Sequence, residues 1–138
     1  MMTSVQSATQ ARIERITSQL EQELGLDGWL DIRHIFDAGY DGDSALDDDG
    51  SSHIYGTTAI STPLWRYRTG KIRWFLNVAA SQDDDDLTLV AIHEYLHFLI
   101  SPITSPVPHK SVAADLEEYA VESITRVIAR ARGMSNVH

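Results

Sequence analysis

An α+β domain is expected from three features of the sequence. Its 138 residues, 43% hydrophobic and 22% charged, suit one folded domain spanning residues 1–138. Apolar residues recur at helical steps of three and four near both ends and again over residues 87–100. Between these stretches lie short runs rich in β-branched and aromatic residues, which read as strands of a small, mainly antiparallel sheet.

Residues 5–24 read as an amphipathic helix with Val5, Ala8, Ile13, Ile16, Leu20 and Leu24 along one face and Gly25 as its stop. Its expected role is to cover one side of the sheet. Residues 29–36, WLDIRHIF, alternate in part and read as a strand. There His34 is expected as a strand residue, packed or exposed, rather than a ligand. The stretch 37–52 is rich in Asp, Gly and Ser and reads as a flexible acidic loop. It lacks the residue order of an EF-hand, so calcium binding has little support there.

Residues 53–60 and 71–78 are strand-like, with a turn expected over 66–70 and Leu64-Trp65 at its start. Ile72 to Asn77 leads into the next helix and is a candidate edge for adding an extended peptide as a further strand. The helix over 87–100 has Leu89, Ile92, Leu96 and Leu99 as its apolar stripe. Ser81 is its N-cap candidate, Asp83 to Asp86 supply acids for its positive end, and Pro102 is its stop. Residues 101–110 hold three of the four prolines and read as an irregular connector. From Ser111 as N-cap to Gly133 runs a final helix, with an apolar arc of Leu116, Ala120, Ile124, Val127, Ile128 and Ala131. Asp115, Glu118, Glu122 and Arg126 form another line, and the tail 134–138 is expected to fray.

The chemistry concentrates at His93-Glu94-Tyr95-Leu96-His97. On a helix the two histidines lie one turn apart on one face, where their imidazoles can share a zinc ion, with Glu94 near enough to act as a general base. The motif interrupts one of the most apolar segments of the chain, where buried polar groups need partners and a metal would satisfy them.

Composition narrows the alternatives. Without cysteine, the chain has no disulfide, thiolate metal site or cysteine nucleophile, so a transition-metal site must use His, Asp and Glu. A net charge of −9 argues against a nucleic-acid partner. The polar N-terminus has no signal-like apolar stretch, and no apolar run reaches membrane-spanning length. These readings point to a cytoplasmic protein without a membrane partner, and suit a virion component equally. A monomer or weak dimer is expected.

A catalytic zinc site usually takes three protein ligands and keeps one position open, so a third ligand must come from elsewhere. His109, Asp115, Glu117, Glu118 and Glu122 are the candidates after the motif. Here the chain resembles the gluzincin branch of zinc metallopeptidases, and its order of elements looks like the minimal metallopeptidase-like proteins of phages and prophages. The resemblance is specific over residues 87–132 and architectural before them. It implies a zincin-like fold and a third ligand from a Glu on the following helix, with an acid one turn later hydrogen-bonding the first histidine. Glu118 followed by Glu122 matches that pattern. Glu117 remains the alternative ligand, because by helical angle it points into the apolar arc. The resemblance further implies a zinc-dependent metallopeptidase acting on a peptide or protein substrate. Larger members stabilise the oxyanion with a His or Tyr from a later subdomain, which is not expected here. Tyr95, Tyr119 and His109 are the substitutes on offer, and narrow specificity follows. The competing expectation is a binding or assembly protein that keeps the zinc fold without turnover.

Overall fold

The computed structural model describes residues 2–38 and 57–134. The order of elements is α1 (Ser4–Glu23), β1 (Asp31–Asp37), β2 (Ala59–Leu64), a 3-10 turn (Trp65–Tyr67), β3 (Thr69–Phe75), a short α2 (Leu76–Ala79), α3 (Asp84–Thr104) and α4 (Lys110–Ala131). Of the expected acidic loop over 37–52, Asp37 ends β1 and residues 39–52 lie outside the described residues, as do residues 53–56, half of the expected strand over 53–60, and residues 135–138 of the tail.

Thr3 starts α1 through a capping box. Its hydroxyl accepts from the Gln6 amide while the Gln6 side chain accepts from the Thr3 amide, satisfying two free donors at once. Gly25, at φ +72°, ends the helix in the left-handed conformation that glycine adopts without strain. The buried face comprises Thr9, Ile13, Ile16, Thr17 and Leu20, whereas Val5, Ala8 and Leu24 are exposed. Threonine fits there because its hydroxyl bonds back to the carbonyl one turn earlier: Thr9 to Val5 and Thr17 to Ile13, both at 2.8 Å. α1 packs chiefly along α3 and α2, rather than across the sheet.

The sheet is mixed, in the order β1-β3-β2. β1 runs parallel to β3, with Asp31 opposite Thr69 and Asp37 opposite Phe75. β2 runs antiparallel to it, from Ala59 opposite Trp74 to Leu64 opposite Thr69. This corrects the expectation of a mainly antiparallel sheet. It also places Ile72 to Phe75 in the central strand and Leu76 onward in a helical turn, so that segment is not an edge. Among the described residues, the outer strand beside α3 is β2. Its Pro63 is tolerated because an outer strand has a side on which a missing N–H costs no ladder bond.

α3 is longer than its sequence pattern. Asp83, not Ser81, caps it by accepting from the Asp86 amide at 2.8 Å, and Asp84, Asp85 and Asp86 fill the first turn, where the helix dipole favours negative charge. Pro102 does not stop it: the helix continues to Thr104. The last turn is held from outside, by the Thr104 hydroxyl donating to Glu117 of α4 at 2.6 Å. A proline in the final turn forfeits only one backbone bond, and such tertiary anchoring offsets part of the loss. At 21 residues α3 would also suit a membrane span by length and composition, but it packs against α1, β2 and α4. His109, not Ser111, occupies the N-cap of α4, which has no side-chain cap.

The core joins Ile13, Ile16 and Leu20 of α1, Ile72 and Trp74 of β3, Leu87, Ile92, Tyr95 and Phe98 of α3, and Val121 of α4. Leu116, Val127 and Ala131, assigned to the buried arc of α4 from spacing, are exposed. The face against the core runs instead through Ala113, Val121, Thr125 and Ala129. His34 lies in β1 as a packed strand residue. Its Nε2 faces Glu21 at 2.8 Å and its Nδ1 accepts from the Trp74 indole at 3.0 Å, so the ring carries its proton on Nε2.

Candidate metal centre

α3 and α4, joined by a short connection, lie side by side, so polar residues on their facing flanks meet where the apolar core ends. His93 and His97 stand one turn apart on α3. Their Nε2 atoms are 3.3 Å from each other. Glu118 of α4 closes the triangle, with one carboxylate oxygen 3.1 Å from His97 Nε2 and the other 3.8 Å from His93 Nε2. The donor atoms of these three residues lie within 4.8 Å of one another, which makes them a group able to hold one metal ion.

The far nitrogen of each ring is also occupied. His93 Nδ1 lies 3.0 Å from Glu122, and His97 Nδ1 bonds Glu117, which accepts from Thr104 as well. A carboxylate on Nδ1 fixes the tautomer that leaves Nε2 with a free lone pair, and it raises the ring's basicity as a ligand. Glu117, the alternative ligand from the sequence, therefore lies on the Nδ1 side of His97, while Glu118 faces both Nε2 atoms. Burial first, then the neighbouring His97, holds the His93 pKa below its usual range, against the opposing pull of Glu122 and Glu118. A neutral imidazole is the form that binds a metal.

Glu94 points to the other side, toward β2. It is buried, and its Oε1 is 3.5 Å from the Ser61 hydroxyl. Its Oε2 is buried with no partner among the described residues. Burial pushes its pKa up to about 7, with the Glu118 charge adding to the rise while His97 and Ser61 oppose it. A buried carboxylate oxygen without a donor is costly, and such atoms concentrate where a ligand or reacting group supplies the missing contact. A cleft of about 360 Å³, lined by Ser61, Pro63, His97 and Glu118, and a cavity of about 430 Å³, lined by Leu89, Val90, Thr125 and Arg126, both reach His93 and Glu94. The donor set, with the Nε2 atoms of both rings turned to it, and the unsatisfied carboxylate together fit a divalent metal ion.

The remaining candidates lie elsewhere. The Tyr95 hydroxyl is buried toward α1, donating to Glu21 at 2.8 Å. Tyr119 is exposed on the outer face of α4, and Asp115 and His109 are exposed outside the His93, His97 and Glu118 cluster. Sequence reasoning missed Ser61, since its approach to Glu94 depends on β2 packing against α3, and it missed Glu117 as the partner of His97. The signal for Glu117 was its buried angle, an acid that needed a hydrogen-bonding partner. Comparison with known proteins adds no family to this geometry: no family model matches the chain, and no curated protein or solved structure matches it significantly.

Proposed function

We propose that this chain is a zincin-like, zinc-dependent metallopeptidase that hydrolyses peptide bonds in a peptide or protein substrate, with His93, His97 and Glu118 as metal ligands and Glu94 as general base. The observation that carries this reading is the convergence of two imidazole Nε2 atoms and a carboxylate beside a buried glutamate with an unsatisfied oxygen. Bound in that group, zinc would supply Lewis acidity for the scissile carbonyl and a lowered pKa for a coordinated water. Glu94 accepts a proton from the attacking water and passes it to the leaving amine nitrogen, so that one water is consumed for each peptide bond broken. Glu122 and Glu117 hold the two rings in their metal-binding tautomers. Ser61 orients Glu94 from β2.

A second reading has its own support. Tyr95 is engaged in the core, and Tyr119 and His109 are exposed outside the metal group, so none of the substitute oxyanion donors adjoins it. A zinc-holding binding or assembly protein without turnover is consistent with that.

Elemental analysis of purified wild-type, His97→Ala and Glu94→Gln proteins, paired with peptide-library cleavage, separates the two. The metallopeptidase reading expects one zinc per chain in the wild type, little in His97→Ala, and full zinc without cleavage in Glu94→Gln. Undiminished cleavage by Glu94→Gln would defeat the assigned base. A zinc-replete wild type that cleaves nothing would select the binding protein, and a wild type that takes up no metal would end both readings.

A further inference from the structure

The outer face of α4, away from the metal group, carries an exposed apolar row that the fold does not use. From Val112 the steps are four, three, four, four and three, through Leu116, Tyr119, Ser123 and Val127 to Arg130, which keeps all six on one face of the helix. Val112 is 47% exposed, Leu116 50%, Tyr119 76% and Val127 67%. Four large apolar side chains exposed on one helix face mark a contact surface rather than ordinary scatter.

The charges beside the row are segregated. Glu122, on the same flank, is engaged by His93, which leaves Asp115 beside the N-terminal half and Arg126 and Arg130 by the C-terminal half. All three are exposed, and none forms an ion pair among the described residues. Arg12 and Arg15, by contrast, engage Asp84, and Arg132 engages Glu23.

We propose that this face binds the same face of a second copy, α4 against α4 antiparallel about a two-fold axis. A helix that is acidic at one end of an apolar row and basic at the other is self-complementary only in that orientation. With the axis level with Val121, Tyr119 meets Ser123 of the second copy and Leu116 meets the Val127 region. Asp115 falls between Arg126 and Arg130 of the second copy, and by symmetry each contact occurs twice. A parallel pair would set like charges together. Tyr119, the most exposed of the four apolar residues, lies as near the axis as Ser123, where a large aromatic contributes most to such a contact. One helix pair covers less than the roughly 1,200 Å² of a standard stable interface, so a weak dimer with a dissociation constant of about 10–100 μM is expected. The inference does not depend on the metal reading.

Sedimentation equilibrium on the full chain, from about 1 μM to about 1 mM, tests it. The wild type is expected to pass from monomer to dimer across that range. Asp115→Arg alone, and Arg126→Asp with Arg130→Asp, are each expected to remain monomeric about tenfold higher in concentration than wild type, with helical circular dichroism unchanged. An equimolar mixture of the two variants is expected to recover association, since both symmetric contacts then join opposite charges. A wild type monomeric at every concentration, charge variants that associate as wild type does, or a mixture that stays monomeric would each overturn the proposal, including the case in which the face serves a different partner.

Discussion

Glu94 carries two opposing demands, burial beside β2 and a carboxylate's need for donors, and the conflict gives a pH signature independent of any activity. Its folded pKa is raised to about 7 from an ordinary 4.5, so the folded state favours the protonated form. The stability this contributes is fully present below the ordinary value and is lost as pH rises through 7. In metal-stripped protein, Glu94→Gln should therefore match wild type near pH 4 and exceed it at pH 8, by at most about 3 kcal/mol. Thermal melts at the two pH values read the difference; an offset that does not change with pH would show that the carboxylate is not held in a charge-averse environment. The acids on the histidine rings make a second prediction. Glu117→Ala and Glu122→Ala should each weaken zinc binding about 10–100-fold, and Glu118→Ala should weaken it more. Competition titration with a chelating dye ranks them, and a greater loss in Glu117→Ala than in Glu118→Ala would transfer the ligand assignment to Glu117.

Among the elements, the approach of α3 to the sheet depends on Gly70. A Cβ there would lie 2.5 Å from both the Phe98 ring and the Thr62 carbonyl oxygen, and 3.0 Å from Pro63 Cα. The ring can move, but the neighbouring strand's backbone cannot without breaking its ladder. Gly70→Ala should cost about 1–3 kcal/mol, measured by urea unfolding, and should disturb β2 and with it the Ser61–Glu94 contact. A neutral result would mean that β2 and α3 separate more easily than their packing implies. The cap of α3 is tested by Asp83→Ala, for which a loss of about 1 kcal/mol is expected, since Asp83 accepts from the Asp86 amide.

For the whole molecule, the metal group joins the two helices that close the core from one side. An ion bound there and absent from the unfolded chain stabilises by mass action, about 4 kcal/mol at a thousandfold excess over its dissociation constant. Zinc should raise the melting temperature of stripped wild type by about 10–20 °C and leave His97→Ala unmoved. Equal shifts in both would place the responsible metal elsewhere. The half-buried chain from Tyr95 through Glu21 to His34 and Trp74 ties α3, α1, β1 and β3 together, so the fold does not rest on the ion alone.

What was legible in the sequence is what a single helix or strand determines locally. The i, i+4 histidines with Glu94 between them, the acids ahead of α3, the glycine stop of α1 and the general α+β class follow from periodicity and capping, which are properties of neighbouring residues. Glu118 and Glu122 were singled out by the acid spacing in the resemblance, and the fold brings both to the histidines. The rest was decided by tertiary contact. Whether β3 was an edge or the centre depended on β1 pairing with it in parallel from the far side. Whether Pro102 ended α3 depended on Thr104 finding Glu117 on another helix. Which face of α4 became buried depended on where the flank of α3 lay, so Val121 and Thr125 took the places that spacing alone assigned to Leu116 and Val127. Local sequence sets which conformations are cheap, but it does not say which surfaces will be covered. That depends on elements distant in the chain and becomes definite only when they meet.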